Sequence, residues 1–160
     1  MNNLYLSVII PMFNEEKRID ATLRYILAYL SKQNYNYEII AVNDGSTDTT
    51  ADKVHAFKPN VTLLEYAKNR GKGYAVNYGL ARAKGEYILI CDADNATPFE
   101  QIERLLASIA KCDIAIGSRY VHGSRIVLKQ PWQRIIGSRV GNLLIQLLEF
   151  QMLSIRQVYI

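Results

Sequence analysis

The sequence predicts an α/β protein in which helices cover both faces of a mostly parallel sheet. Short apolar, β-branched runs alternate with segments whose apolar residues recur at helical spacing, and the turns between them are short. The chain has 160 residues, of which 49% are hydrophobic and 21% are charged. This length and composition are typical of one globular domain with a sizeable core.

The predicted strands are short apolar runs, and two of them end at residues that break the pattern. Pro11 stops the first run, and the fourth ends at Asp92, the first of two carboxylates that are one residue apart. The five predicted strands span residues 7–10, 38–42, 61–64, 87–90 and 113–116.

The first helix is predicted directly after the first strand. Asn14 is expected to cap it, with Glu15 and Glu16 in the first turn, where negative charge is favourable. The apolar residues that follow recur at helical spacing and would form the buried stripe of this helix, namely Ile19, Leu23, Ile26, Leu27 and Leu30.

Three later segments also have helical signals. Helices are predicted over residues 47–56 and 71–83, the second of which opens at a Gly-Lys-Gly run and closes at Gly85. The sequence TPFE at residues 97–100 has the form of a capping box with proline at the first helical position. A further helix is expected from Pro131, after a long basic loop.

Four predicted strand ends carry polar or charged residues, and the ends of parallel strands meet at one sheet edge. Ligands bind at this edge in open α/β sheets, and an Asp-x-Asp there suits Mg²⁺ or Mn²⁺ that also holds phosphate oxygens. Taken singly, residues 44–46 could be an Asx turn, residues 92–94 helix-capping acids and residues 69–73 a loop. The argument for a site is the convergence of residues 11–15, 43–46, 92–94 and 117–119.

The net charge of +4 is unevenly distributed. No acidic residue occurs from residue 114 to residue 148, which predicts either a solvated basic face or a surface for phosphates or lipid headgroups. Nucleic acid is not an expected partner, because no nucleic-acid-binding motif is present. The basic side chains of this region are Arg119, Arg125, Lys129, Arg134 and Arg139.

The expected compartment follows from what the sequence lacks. Neither a signal peptide nor a membrane-spanning run is evident, and Cys91 and Cys112 have no metal-ligand spacing. We expect both cysteines to be reduced core residues and the protein to be cytoplasmic. The helix over residues 131–153 fits either packing on the sheet or peripheral contact with the cytosolic membrane face, and an uncovered apolar face would favour oligomers.

Four segments together resemble family 2 glycosyltransferases of the GT-A fold, which use nucleotide-sugar donors. They read SVIIPMFNEE at residues 7–16, NDGSTD at residues 43–48, NRGKG at residues 69–73 and DAD at residues 92–94. Further matches, DADNATPF at residues 92–99 and IGSR at residues 116–119, resemble the branch that transfers glucose or mannose to dolichyl phosphate. The resemblance implies a Rossmann-like three-layer sandwich.

The resemblance implies nucleotide-sugar-binding roles for the residues at the first two strand ends. Pro11, Phe13 and Glu15 would line the nucleoside pocket, with Glu15 accepting hydrogen bonds from ribose hydroxyls. Asp44, followed by Gly45, would accept a hydrogen bond from the base.

The resemblance also implies the residues that handle the sugar and the phosphates. Lys72 would lie near the nucleotide, Asp92 would contact the ribose or the sugar, and Asp94 would bind Mg²⁺ or Mn²⁺. Arg119 and Arg134 would face the diphosphate or an acceptor phosphate. Among these residues, we expect Asp92, Asp94 and Arg119 to be catalytic.

The chain departs from the family pattern at several positions. Asn43 stands where the family often has a second aspartate, and Ala96 stands where mannose-synthase relatives have a glutamine that helps to hold the metal. A Cys-Gly-Phe-Lys-like motif expected after the helix that contains Gly141 is absent. We therefore expect one domain, with a nucleotide-sugar-binding half at residues 1–94 and an incomplete acceptor half at residues 95–160, the C-terminal part being truncated.

The expected activity is inverting transfer of a hexose from a nucleotide sugar to a polyprenyl or dolichyl phosphate. Glucose from UDP-glucose is the expected donor, with GDP-mannose as the alternative. An anionic phosphate can attack without a strong base, which fits the lack of acidic residues between Asp113 and Glu149. Two alternatives stay open, namely an inactive domain that only binds a nucleotide sugar and a family 2 transferase that acts on a polysaccharide hydroxyl.

Overall fold

Four strands and four helices make up most of the chain that the structure describes. The structure is a computed structural model, and it describes residues 4–109 and 112–117. The elements are β1 (Leu6–Met12), α1 (Ile19–Leu30), β2 (Tyr37–Asp44), α2 (Thr50–His55), β3 (Thr62–Tyr66), α3 (Lys72–Leu80), β4 (Tyr87–Ile90) and α4 (Ile102–Ile109), with a 3₁₀ turn at Phe99–Gln101 before α4.

The four strands form one parallel sheet in the order β3-β2-β1-β4. The chain steps outward from β1 to β3 and then crosses back over the sheet to β4. Right-handed crossovers therefore place α1 and α2 on one face of the sheet and α3 on the other. This arrangement confirms the predicted α/β class, and it places the reversal of strand order, where such sheets open a ligand crevice, between β1 and β4.

The core lies on both faces of β1 and β2. On one face, Ile9 and Val42 pack with Ala75 of α3. Because side chains alternate along a strand, Val8 and Ile10 point to the opposite face, and both are fully buried. The buried stripe predicted for α1 is confirmed at Ile19, Leu23, Ile26 and Leu30, each with no exposed surface, whereas Leu27 is half-buried.

Strand β1 continues through Pro11, which the sequence predicts as its stop. Pro11 pairs with Val42 of β2. The carbonyl of Ile9 accepts a hydrogen bond from the Cys91 N–H, so the backbone polar groups of Ile9 point towards β4. Those of Pro11, two residues later, point to the same side of β1, but β4 has already ended at Ile90. The missing N–H of Pro11 therefore removes no ladder hydrogen bond.

Asn14 does not cap α1, so this prediction is wrong. The helix begins four residues later than expected, at Ile19, after a turn in which the Glu15 carbonyl accepts from the N–H groups of Arg18 and Ile19, both at 2.9 Å. Asn14 lies in the left-handed region with φ of 54°, and its side chain bonds to the neighbouring loop. Asp20, and not Glu15 or Glu16, is the acidic residue in the first helical turn.

Gly85 also has a different role from the predicted helix C-terminus. Helix α3 ends at Leu80, and Gly85 lies where the chain passes close to β1. A Cβ at Gly85 would be 2.5 Å from the Ser7 N, and the Gly85 N–H donates to the Ser7 Oγ at 2.8 Å. Glycine is needed here for this close backbone approach.

The predicted capping box at residues 97–100 is not formed. Pro98 is the N-cap of the 3₁₀ turn, with no side-chain cap hydrogen bond. The Glu100 carboxylate instead accepts from the Tyr25 hydroxyl of α1. The acid expected to cap its own helix therefore holds this segment against α1.

The predicted fifth strand is wrong, because residues 112–117 have no regular structure. Ile114, in the middle of the predicted strand, is 75% exposed. Cys112 is also exposed, so the prediction that Cys112 is a core residue is wrong. The described residues up to 103 belong to one compact unit, which contains the four strands. Across residues 4–109 and 112–117, none of the helices has the length and apolar character needed to span a bilayer.

Candidate functional site

A cleft of about 350 Å³ opens at the carboxyl edge of the sheet, where the reversal of strand order predicts a crevice. Six of the predicted nucleotide-binding residues and Asp94, the predicted metal ligand, contribute to its walls. The lining consists of Pro11, Met12, Phe13, Glu15, Asp44, Asn69, Gly71, Lys72, Ala75, Asp92, Ala93 and Asp94.

Two sides of this cleft are built differently. The first, here called the loop wall, consists of residues 13–16, 44–50 and 69–71, which lie at or after the carboxyl ends of β1, β2 and β3. The second, here called the acidic turn, consists of residues 92–94, which follow β4.

Asp44 is the anchor of the loop wall. It is only 3% exposed, and its Oδ1 accepts from the Tyr66 hydroxyl at 2.8 Å and from the Arg70 N–H at 2.7 Å. Its Oδ2 accepts from the Gly71 N–H at 2.9 Å. A buried carboxylate is stable only with such partners, and these three bonds leave Oδ2 able to accept one more.

Tyr66 is a site residue that the sequence analysis does not identify. Burial and the hydrogen bond to Asp44 raise the pKa of the Tyr66 hydroxyl above its usual value, which further disfavours loss of the proton that it donates to Asp44. Its only signal in the sequence is its place at the end of the third predicted strand, where β3 extends two residues beyond the predicted end at residue 64.

Gly45 is predicted to bind the nucleotide, but it supports the loop wall from behind and does not line the cleft. Its φ is 68°, and a Cβ there would lie 2.6 Å from the Asn69 N. Both observations require glycine, because other residues would be strained and would push residues 67–69 away. The Ser46 N–H donates to the side chain of Asn43, the buried neighbour of Asp44, at 3.0 Å, so the turn is closed by Asn43 and not by Asp44, the first residue of the Asx turn considered for residues 44–46.

Hydrogen bonds also join the loop after β1 to the loop after β2. The Asn14 Oδ1 accepts the Thr47 N–H at 2.9 Å, and the Glu15 N–H donates to the Thr50 Oγ1 at 2.8 Å. The Glu16 carboxylate accepts from the Thr49 hydroxyl at 2.9 Å. These bonds hold the backbone between Phe13 and Glu15, so the two side chains enter the cleft from a fixed support.

Phe13 and Glu15 present different surfaces to the cleft. The Phe13 side chain is 45% exposed, which leaves an apolar ring at the cleft wall. The Glu15 carboxylate is 18% exposed and accepts two hydrogen bonds from Arg18, at 2.7 and 2.9 Å. A flat apolar ring beside a carboxylate is suited to a ligand with an aromatic base and hydroxyl donors.

An ion pair connects Lys72, at the start of α3, to the acidic turn. The Lys72 Nζ lies 2.7 Å from the Asp92 Oδ1, and the two side chains are 63% and 57% exposed. The cation and carboxylate thus meet at the mouth of the cleft, and both remain accessible to a charged ligand.

Asp94 is the carboxylate of the acidic turn that forms no ion pair with a residue in the described part of the chain. Its Oδ1 accepts the Ala96 N–H at 3.0 Å, and the side chain is exposed. Ala93 between the two acids is buried, and its carbonyl accepts from the Thr22 hydroxyl of α1 at 2.8 Å. Thr22 is a second residue that sequence analysis misses, although it is a polar residue within the buried stripe of α1.

Cys91 precedes the acidic turn and is half-buried. Burial raises the pKa of its thiol to about 11, and the carboxylates of Asp92 and Asp94 add to the shift. The thiol is therefore neutral at physiological pH, which makes it a poor nucleophile and a poor metal ligand.

The donor atoms at the acidic turn fit a Mg²⁺-type or Mn²⁺-type ion that binds together with a phosphate. Within residues 4–109 and 112–117, no group of three or more His, Cys, Asp or Glu side chains forms an all-protein metal cage. Mg²⁺ in nucleotide sites commonly takes one or two carboxylates and completes its shell with phosphate oxygens and water. Asp94 suits this better than Asp92, which Lys72 already pairs.

Two predicted phosphate-binding residues, Arg119 and Arg134, lie outside the described residues. So do the predicted basic loop and the predicted helix from Pro131. Their predicted contacts with the diphosphate or with an acceptor phosphate therefore stay predictions.

Comparison with known proteins agrees with this geometry. The sequence profile described as Glycosyl transferase family 2 matches residues 7–157. A dolichyl-phosphate β-glucosyltransferase from Trichomonas vaginalis is 38% identical over 151 residues, which cover 85% of this chain and 45% of that protein. The chain thus spans about half the length of the curated relatives it matches.

Two solved structures share the fold. A mannosyltransferase from Pyrobaculum calidifontis, in complex with GDP-Man and Mn²⁺, is 30% identical with a TM-score of 0.57, over 68% of this chain and 33% of that one. Residues 1–349 of TarS from S. aureus, in complex with UDP-GlcNAc, are 31% identical with a TM-score of 0.55, over 68% of this chain and 32% of that one. These neighbours confirm the predicted GT-A fold. The family profile spans most of the chain, and the four sequence segments that resemble this family contribute to one cleft. This chain therefore belongs to glycosyl transferase family 2.

Proposed function

We propose that the protein transfers a hexose from a nucleotide-sugar donor to a polyprenyl or dolichyl phosphate, with inversion at the anomeric carbon. The observation that carries this proposal is the single cleft at the sheet edge, which gathers Phe13, Glu15, Asp44, Lys72 and Asp94. The relatives named dolichyl-phosphate β-glucosyltransferase support glucose as the sugar and dolichyl phosphate as the acceptor. UDP-glucose is our proposed donor, and GDP-mannose is the alternative.

The loop wall is assigned to the nucleoside. The base would stack beside Phe13 and Pro11 and use the remaining acceptor capacity of the Asp44 Oδ2, while the ribose hydroxyls would donate to Glu15. This assignment is supported by the apolar exposed ring of Phe13 and by the rigid hydrogen-bonded support behind it. A preformed surface of this kind lowers the entropy lost on binding.

The acidic turn and Lys72 are assigned to the diphosphate and the sugar. Asp94 would hold Mg²⁺ or Mn²⁺, and Asp92 would contact the ribose or the sugar. The bound metal would supply positive charge that stabilises the negative charge developing on the departing diphosphate. Lys72 would add to this stabilisation by leaving Asp92 for a phosphate oxygen, which its exposure allows.

The transfer itself needs no strong base. An acceptor phosphate oxygen forms a bond to the anomeric carbon as the bond from that carbon to the diphosphate breaks, and the electron pair leaves with the nucleoside diphosphate. No proton has to be removed, because the acceptor is already anionic at neutral pH. Arg119 and Arg134 are the proposed partners of the acceptor phosphate or the diphosphate.

Residues 1–94 are proposed as the donor-binding half, because every residue that lines the cleft lies between Pro11 and Asp94. Residues 95–160 would contribute to the acceptor half. A lipid phosphate acceptor implies that the reaction takes place at a membrane surface, for which we propose peripheral contact at the cytosolic face.

The donor site can be tested by calorimetric titration of UDP, GDP, UDP-glucose and GDP-mannose, each with and without Mn²⁺. We expect Mn²⁺-dependent binding of the uridine ligands. Asp94→Asn should weaken this binding by about 1–3 kcal/mol, the range for losing a charge-assisted contact. Asp52→Asn, which removes an exposed carboxylate on α2, is the matched control and should bind as the parent does.

Two results would contradict the proposal. If none of the four ligands binds, the cleft is not a donor site. If Asp94→Asn keeps the full Mn²⁺ dependence, Asp94 is not the metal ligand. Once binding is established, incubation with UDP-glucose and dolichyl phosphate tests transfer. A sugar phosphodiester product would support the lipid phosphate as the acceptor over a polysaccharide hydroxyl. Absence of any product would indicate a domain that binds the donor without transferring the sugar.

A further inference from the structure

We propose that Thr22 is a positioning residue for the acidic turn, which it orients through the carbonyl of Ala93. This inference rests on the proposed function, since it concerns how the metal-binding carboxylate is held. Thr22 lies on α1, is buried and is not among the residues that line the cleft, so it would touch neither donor nor metal.

The contact is buried and specific. Thr22 is 1% exposed and Ala93 is 4% exposed, and the Thr22 Oγ1 lies 2.8 Å from the Ala93 carbonyl oxygen. A buried carbonyl that loses its donor keeps the full penalty of lost hydration, so this bond has a strong preference to be formed.

The hydroxyl has a choice of acceptors. Its oxygen is also 3.1 Å from the Arg18 carbonyl one turn earlier, the usual local acceptor for a threonine inside a helix. A hydroxyl has one hydrogen to donate, and the shorter of the two contacts is to Ala93, 71 residues away in sequence. The geometry therefore assigns the hydroxyl to the tertiary contact.

Besides the exposed ion pair between Lys72 and Asp92, the turn has few other contacts that could orient it. The Cys91 N–H donates to the Ile9 carbonyl at 3.0 Å, and this bond is made before the turn begins. The Asp94 carboxylate bonds only to Ala96 among the residues that the structure describes, and this contact is internal to the segment. Asn95, with φ of 51°, then redirects the chain.

The hydrogen bond from Thr22 acts on the peptide group that joins Ala93 to Asp94. The Ala93 carbonyl and the Asp94 N–H belong to one planar peptide group, so holding the carbonyl also fixes the direction in which the chain enters Asp94. Loss of the hydroxyl would let this plane rotate and would turn the Asp94 carboxylate away from its position in the cleft.

The test compares Thr22→Val, which keeps the shape and removes the hydroxyl, with Thr22→Ser, which keeps the hydroxyl. UDP binding is titrated as a function of Mn²⁺ concentration, at a temperature well below the lowest melting temperature in the set. Thr22→Val should raise the Mn²⁺ concentration that gives half of the maximal increase in UDP affinity by about tenfold, the effect typical of groups that support a metal ligand. The affinity for UDP without Mn²⁺ should stay unchanged. Thr22→Ser should restore the parent's Mn²⁺ dependence.

Ser7→Ala is the matched control. Ser7 is also fully buried, and its hydroxyl donates to the Glu38 Oε1 at 2.6 Å, but it lies near the start of β1, at the other end of the sheet. It should lower the melting temperature without changing the Mn²⁺ dependence. If Thr22→Val does not fold, Thr22→Ala removes the same hydroxyl in a smaller side chain and is read in the same way.

Three results would overturn the role of Thr22, namely an unchanged Mn²⁺ dependence in Thr22→Val, no rescue by Thr22→Ser, or an equal loss in Ser7→Ala. Failure of the proposed function looks different. In that case the parent chain itself shows no Mn²⁺-dependent binding of UDP, and the role of Thr22 fails with it.

Discussion

The loop wall and the acidic turn face the same cleft but are held in different ways. In the loop wall, side chains bond to backbone groups of neighbouring loops, and Asp44 alone accepts two bonds from backbone N–H groups and a third from the Tyr66 hydroxyl. The acidic turn carries two exposed carboxylates and is held to the rest of the fold by the Thr22–Ala93 bond and by an exposed ion pair with Lys72.

This difference indicates that the loop wall contributes mainly to folding stability and the acidic turn mainly to metal-dependent binding. In the proposed site, a surface for a rigid nucleoside would gain affinity from being preformed, whereas carboxylates that meet a metal and a diphosphate would have to stay accessible and free to change partners. Substitutions in the loop wall should therefore reduce folding stability. Substitutions in the acidic turn should change metal-dependent binding and leave stability almost unchanged.

Gly45→Ala should give the largest loss of stability. A methyl group at this position would lie 2.6 Å from the Asn69 N and 2.8 Å from the Lys68 carbonyl carbon, and φ is 68°. Backbone overlap and the left-handed conformation together should cost about 2–4 kcal/mol, measured by denaturant unfolding.

Gly73→Ala is the control for this substitution. It adds the same methyl group near the start of α3, where nothing lies within 4 Å of the new carbon, so stability should be unchanged or slightly higher. Equal stability of the two alanine variants would show that residues 67–69 move freely, and the description of the loop wall as rigid would be wrong.

The sequence predicts the presence of the strands better than it predicts where each strand ends and which residues it pairs with. The strand over residues 38–42 is found because its apolar, β-branched residues are buried in the sheet, whereas the strand over residues 87–90 is found although Ile88 and Ile90 are 44% and 45% exposed. The extension of β2 to Asp44 is missed, since pairing with β3 carries a polar residue to the sheet edge. The expected strand over residues 113–116 shows the converse error, because an apolar residue such as Ile114 can be exposed.

Convergence of the site could also be predicted, but the support behind it could not. Parallel strand ends must meet at one edge, so Glu15, Asp44 and Asp94 were expected together and are found together. The bonds from Tyr66 to Asp44 and from Thr22 to Ala93 join residues 22 and 71 positions apart. Local periodicity contains no information about such pairs, which depend on how the elements pack.

The loop wall should also lose stability in acid. Burial of Asp48 opposes its ionisation, but hydrogen bonds from the Thr50 hydroxyl and N–H and from the Glu16 N–H outweigh this and hold the pKa of Asp48 below its usual value. A carboxylate with a lowered pKa stabilises the fold above its unfolded-state pKa of about 4, and this contribution is lost as pH falls through the folded-state value.

Asp48→Asn should therefore be less stable than the parent at neutral pH, and the gap should narrow below about pH 4. Urea unfolding at a series of pH values measures this gap. Asp52→Asn removes an exposed carboxylate on α2 and should give a curve parallel to that of the parent. A gap for Asp48→Asn that stays constant with pH would contradict the role assigned to its charge.

Lys72→Gln should have the smallest effect on stability, although it removes the ion pair at the mouth of the cleft. Lys72 and Asp92 are 63% and 57% exposed, and exposed pairs contribute about 0–1 kcal/mol, less at high salt. The melting temperature should hardly move. Mn²⁺-dependent UDP binding should weaken and should depend less on salt, because the positive charge that is proposed to meet the diphosphate is gone. A loss of stability as large as that of Gly45→Ala would mean that the ion pair, and not the buried bond from Thr22, holds the acidic turn. The loop wall and the acidic turn would then differ in the charge of the groups that hold them and not in the burial of those groups.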